Sequence, residues 1–126
     1  RAKLPVLDKW NARRQAIATQ YLSQLDATAL VLPHVPHWAE PVWHLFVVRS
    51  QQRDALQKQL GAVGIGTMIH YPIPPHKQPA YADTLNKNIH LPVAELLAET
   101  MLSLPIGPPL TKTKVAFVVE SLKRYA

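Results

Sequence analysis

The sequence predicts an α+β fold, a small three-stranded, mostly antiparallel sheet with helices packed on one face. Three observations lead there. Apolar residues recur with alternating helical and strand periods, in the order helix, strand, helix, strand, helix, strand, helix. The three strand-like runs are short and few, a poor basis for a doubly wound parallel sheet. The 126 residues, 48% hydrophobic and 17% charged, suffice for one packed core and hardly for two, so residues 1–126 are read as a single domain.

The first helix runs from about Val6 to Leu25. At 100° per residue Leu7, Trp10, Ile17, Ala18, Tyr21 and Leu25 fall on one stripe, while Asp8, Lys9, Asn11, Gln15 and Thr19 fall mostly elsewhere. Pro5 suits the first turn. Arg14 lies inside the apolar stripe, and two readings stand: an aliphatic stem on the core with its head in water, or a charge reaching a carboxylate or an anion. Residues 26–41 hold three prolines and two histidines. His34 and His37 would share a helical face, but Pro33 and Pro36 forbid a regular helix, so they read as loop histidines and not as metal ligands.

Val42 to Arg49 is β-branched, aromatic and nearly apolar on both faces, as a central strand would be. Ser50 can cap a helix over Gln51–Leu60 with Leu56 and Leu60 inward, and Gly61 and Gly64 end it. Ile65 to Tyr71 alternates, with Ile65, Thr67, Ile69 and Tyr71 on one face, and reads as the second strand. Four prolines between Pro72 and Pro79 surround His76 and preclude regular hydrogen bonding. The result is a stiff loop that keeps His70, Tyr71, His76, Lys77 and Gln78 close. Stiffness lowers the entropic cost of fixing polar groups; the plain alternative is a rigid surface turn. Pro92 opens a helix to about Leu102, with Leu96, Leu97 and Met101 inward, and Leu102–Ile106 forms the third strand. Thr111 or Thr113 caps the last helix. There Val115, Val118, Val119 and Leu122 form the apolar face, and Lys123 and Arg124 suit the C-terminal end.

Composition excludes several classes. Cysteine is absent, which removes disulfides and thiolate zinc sites and permits a cytoplasmic setting. No apolar run approaches the roughly 18 residues of a membrane-spanning helix, and no signal peptide is expected. Fourteen Lys and Arg against eight Asp and Glu give a net charge of +6, compatible with an anionic ligand or nucleic acid. The basic residues form no dense run, which argues against nucleic acid. No phosphate loop, GxGxxG or nucleophile elbow is present, no Asp/Glu pair suggests acid–base chemistry, and the six histidines are scattered. No self-contained catalytic or metal site is therefore legible; the candidate surface is the loop after the second strand.

The run from Gly64 to Tyr81, Gly-Ile-Gly-Thr-Met-Ile-His-Tyr-Pro-Ile-Pro-Pro-His-Lys-Gln-Pro-Ala-Tyr, resembles a motif of the DegT/DnrJ/EryC1/StrS family. These are pyridoxal-phosphate (PLP) dependent sugar aminotransferases of the aspartate-aminotransferase fold type. The segments Leu7–Ala18, Trp43–Arg49, Leu91–Ala98 and Leu102–Ile106 are similar, in order, to the family's helix entering the small domain, its first small-domain strand and the stretch before its final helix. The resemblance covers essentially the whole chain.

It implies the C-terminal small domain alone, with the large PLP-binding domain absent, because none of the eight lysines lies in a segment resembling the Schiff-base lysine motif. It implies a part of a nucleotide-sugar aminotransferase that contributes to the substrate site and is catalytically incomplete alone. PLP belongs to the full-length family, and no cofactor is expected on this chain by itself. His70, Tyr71, His76 and Gln78 match motif positions for hydrogen bonding and stacking on a nucleotide sugar. Lys77 and Arg14 would add charge for its pyrophosphate. A homo-oligomer is expected, formed through the first-helix stripe of Leu7, Trp10, Ile17 and Tyr21. The competing reading is a free-standing basic binding or dimerisation module derived from the same fold.

Overall fold

A computed structural model of the chain describes residues 1–81 and 89–126. Helix α1 (Leu4–Leu25) begins two residues before its periodicity suggests, since Pro5 fits the first turn without a missing hydrogen bond. Its inward residues are Ile17, Ala18, Tyr21 and Leu25. The Tyr21 ring lies 5.0 Å from that of Phe46, and its hydroxyl donates to the Pro105 carbonyl at 2.8 Å. The phenol is thus buried with its polar end satisfied, and burial pushes its pKa above the usual range.

Strand β1 (Phe46–Arg49) pairs antiparallel with β2 (Met101–Leu104), Phe46 opposite Leu104 and Arg49 opposite Met101. Among the described residues the sheet has these two strands and not three. The predicted strand Ile65–Tyr71 contributes one isolated bridge, Met68 to Ser103 on the far side of β2. Antiparallel hydrogen-bonded pairs recur every second residue. The next pair in one direction would be Gly66 with Pro105, and Pro105 has no N–H to give. In the other direction β2 starts at Met101, directly after a helix. Pairing therefore cannot extend. On the outer edge of β1, Val31 makes a similar single bridge to Arg49.

The expected first strand is also shorter than Val42–Arg49, because Trp43 adopts φ 53, a left-handed conformation unusual for a bulky residue. Two interactions hold it there. The Arg14 guanidinium donates to the carbonyls of Trp43 and His44, both at 3.2 Å, and the indole packs 5.2 Å from the Phe46 ring.

Helix α2 (Arg53–Ala62) buries Leu56 and Leu60 and starts later than expected. Ser50 Oγ accepts from the Gln52 amide at 3.1 Å, a turn ahead of the helix and not its cap. Gly61 lies inside the helix, while Gly64, at φ 80, turns the chain beyond it. Helix α3 (Pro92–Thr100) ends where β2 begins. Arg53 donates to the Ala98 and Met101 carbonyls at 3.1 and 3.2 Å, satisfying groups that the helix end leaves open. The residues α3 buries are Ala98 and Thr100; Leu96, expected inward, is exposed, and Leu97 and Met101 are half-buried. Helix α4 (Lys112–Tyr125) is capped by Thr111, whose Oγ1 accepts from the Lys114 amide at 3.3 Å. It buries Val115, Val118, Val119 and Leu122 and packs on both α1 and α2.

The core thus consumes much of the stripe expected to pair with a second copy. Ile17 and Tyr21 are fully buried within the chain, Trp10 is half-buried, and only the first turns of α1 leave Leu4 and Leu7 exposed. No helix among the described residues is long and apolar enough to cross a membrane.

Candidate functional site

After the Met68–Ser103 bridge the chain leaves the sheet into Pro72, Pro74 and Pro75. The missing N–H groups prevent further pairing, and the loop satisfies itself in two short 3₁₀ turns, Pro75–Lys77 and Pro79–Tyr81. The amides of Lys77, Gln78 and Tyr81 donate to the carbonyls of Pro74, Pro75 and Gln78 at 2.9, 3.2 and 3.0 Å. The Gln78 side chain donates back to Ile73 O at 2.9 Å, cross-linking the loop.

This loop and α3 enclose a cleft of about 600 Å³. His70, Tyr71, Gln78 and Tyr81 stand on the loop side, and Ala94, Leu97, Ala98 and Met101 on the side of α3 and β2. Such a surface, mostly apolar with a few polar groups, suits a small-molecule ligand. His70 is fixed by a 2.8 Å hydrogen bond between Nδ1 and Ser103 Oγ and stands edge-on to Tyr71 at 5.6 Å. Ser103 is buried, so the bond anchors the ring to β2. Tyr71 itself is 70% exposed.

The other predicted residues lie apart. His76 borders a second cleft of about 570 Å³, with Leu91 and Ile89, divided from the first by Pro75, Tyr81 and Ala94. Lys77 lines neither cleft. Arg14 is engaged at the Trp43–His44 turn. The structure thus brings His70, Tyr71 and Gln78 to one cleft, sets His76 and Lys77 behind its wall, and places Arg14 elsewhere. Among the described residues no group of three His, Asp or Glu is placed to hold a metal ion.

The residue that sequence reading missed is Glu95, in the first turn of α3. Its Oε1 accepts from His76 Nε2 at 3.0 Å and from the Leu91 amide at 3.1 Å. Its Oε2 takes Lys77 Nζ at 2.9 Å, and His90 Nδ1 lies between the two oxygens, 3.3 Å from Oε1 and 3.2 Å from Oε2. The Lys77 ammonium, the His76 ring and the Leu91 amide hold its carboxyl down to about 2. An ionised carboxylate only accepts, so both facing ring nitrogens carry protons. The available signal was an acid in a helix's first turn five residues after His90, with His76 and Lys77 in the preceding loop.

PLP chemistry needs a lysine and an acid for the pyridine nitrogen. Among the described residues neither a lysine nor a carboxylate lines the larger cleft, and Lys77 is already paired with Glu95. The cleft residues do not fit the group's two handles.

The chain belongs to the DegT/DnrJ/EryC1/StrS aminotransferase family, whose profile matches residues 1–123. It is 48% identical over 124 residues to the erythromycin biosynthesis sensory transduction protein EryC1 of Saccharopolyspora erythraea, covering 98% of this chain and 34% of that protein. It is 44% identical over 127 residues to the dTDP-3-amino-3,4,6-trideoxy-α-D-glucose transaminase of Streptomyces venezuelae, covering 100% of this chain and 34% of the relative. The crystal structure of S. venezuelae DesV in complex with a ketimine intermediate superposes with a TM-score of 0.94 at 44% identity, over 99% of this chain and 34% of DesV. The chain spans about a third of the length of these relatives.

Proposed function

We propose that this chain is the C-terminal small-domain portion of a PLP-dependent nucleotide-sugar aminotransferase. It supplies one wall of the keto-sugar nucleotide site and is catalytically incomplete alone. The observation that carries this reading is the coincidence of the family match over residues 1–123 with a cleft built from its specific segment, His70 to Tyr81. In this reading the lysine, the pyridine-pairing acid and most phosphate contacts come from the remaining two-thirds of the enzyme. His70 offers a ring held by Ser103, Tyr71 an exposed phenol for stacking or hydrogen bonding, and Gln78 an amide at the cleft edge. His76 and Lys77 act from behind the wall. The whole enzyme works as a cytoplasmic homo-oligomer.

The test is a hybrid: this chain joined to the N-terminal two-thirds of the S. venezuelae transaminase and supplied with PLP, a keto-sugar nucleotide and an amino donor. Amino transfer by the hybrid, with none by the 126-residue chain, is the expected result. A folded hybrid that binds PLP and transfers no amino group from any donor, on a substrate the parent uses, would contradict the reading.

A further inference from the structure

We propose that Glu95 is the positioning residue of this cleft, a single carboxylate that ties the proline-rich loop and the approach to α3 to one point. From the loop come His76 on Oε1 and Lys77 on Oε2; from the segment before α3 come the Leu91 amide on Oε1 and His90, whose Nδ1 lies 3.3 Å from Oε1 and 3.2 Å from Oε2. Both segments thus converge on one carboxylate. Residues 76 and 90 are 14 positions apart in the sequence, and joining two such points removes chain entropy.

The anchor is itself well fixed. Glu95 stands on a helix, its side chain is 15% exposed, and the His76 ring on it is 6% exposed. Charge-assisted bonds of this kind are stronger than neutral ones; the Lys77 bond is half-exposed, and His90, 73% exposed, contributes least to rigidity. The consequence falls on the cleft wall. Pro75, directly before His76, and Ala94, directly before Glu95, both face the larger cleft and the smaller one, so the tether sets the spacing between loop and helix on which both clefts depend. The tether stands on contacts within this chain; its bearing on substrate rests on the function proposed above.

Amide hydrogen exchange on the 126-residue chain tests the tether. Glu95→Gln preserves shape and removes the charge, and exchange at Lys77, Gln78 and Tyr81 is expected to rise about tenfold as the loop opens locally. Lys77→Met leaves α3 untouched; a rise of about threefold at the same amides, with the Glu95 amide unchanged, is expected. The second variant carries the test if the first fails to fold. Exchange within twofold of wild type at all three amides, in each variant that folds, would overturn the proposal. The same variants in the active hybrid should raise KM for the nucleotide sugar severalfold with kcat nearly unchanged. Faster exchange with an unchanged KM would leave the tether standing and refute the placing of substrate in this cleft.

Discussion

The Lys77 ammonium lies 2.9 Å from Oε2 of Glu95, so the cation of the proline-rich loop is already paired within the chain. An anionic substrate reaching Lys77 would compete with that carboxylate. This relationship between loop and helix underlies the pH behaviour expected of the fold.

Glu95 titrates near 2 in the folded chain, against an ordinary value of 4.5. A carboxyl with a depressed folded pKa adds stability that is complete above its unfolded pKa and is lost as pH falls through the folded one. Thermal melts between pH 5 and pH 2.5 should therefore show wild type losing stability more steeply than Glu95→Gln, the two curves converging toward the acid end. Parallel curves would mean that His76, Lys77 and Leu91 do not hold the carboxylate.

Tyr21→Phe removes the hydroxyl that meets Pro105 O and leaves a part-buried carbonyl without that donor. A loss of about 1–2 kcal/mol in urea unfolding is expected. Phe46→Ala, at the contact of Tyr21, Trp43 and β2, should cost about 3–5 kcal/mol.

Arg14 holds two carbonyls at a left-handed Trp43. Arg14→Met should destabilise by about 1–3 kcal/mol, the range for hydrogen bonds from a charged group, and should leave KM for the nucleotide sugar in the hybrid within about twofold. A KM raised well beyond that, at unchanged stability, would return Arg14 to the substrate site.

Borohydride reduction of the 126-residue chain with PLP, followed by peptide mapping, should find label spread over several lysines. Stoichiometric label at one lysine would contradict the reading that the Schiff-base group lies outside this chain.

The exposed Leu4 and Leu7 leave an apolar end on α1. Sedimentation equilibrium at micromolar concentration should show self-association that Leu7→Glu weakens; a clean wild-type monomer would mean that this end does not mediate it.

Long periodic elements were legible in the sequence. The stripe of α1, the inward Leu56 and Leu60 and the Val115–Leu122 face of α4 all follow from spacing alone. The proline-rich loop and its His70–Tyr71 lead were visible for the same local reason, since proline forbids pairing wherever it stands. What escaped depends on partners distant in sequence. The expected second strand, Ile65–Tyr71, shrinks to one bridge because Pro105 stands where the next pair, opposite Gly66, would need an N–H, a register no local pattern announces. The β1 boundary moves because Arg14, on another element, stabilises a left-handed Trp43. Leu96 looked inward on a helix whose exposed face only packing decides. Glu95 was silent because a lone first-turn acid is common, and its four partners converge only in the fold.

The most direct measurement of the central claim is the KM of Tyr71→Phe in the hybrid enzyme. Tyr71 is 70% exposed in this chain, so removing its hydroxyl should leave the melting temperature within about 2 °C. KM for the nucleotide sugar should rise about tenfold, the equivalent of roughly 1.4 kcal/mol of lost binding. An unchanged KM with a lowered melting temperature would contradict the account and make the loop a structural turn.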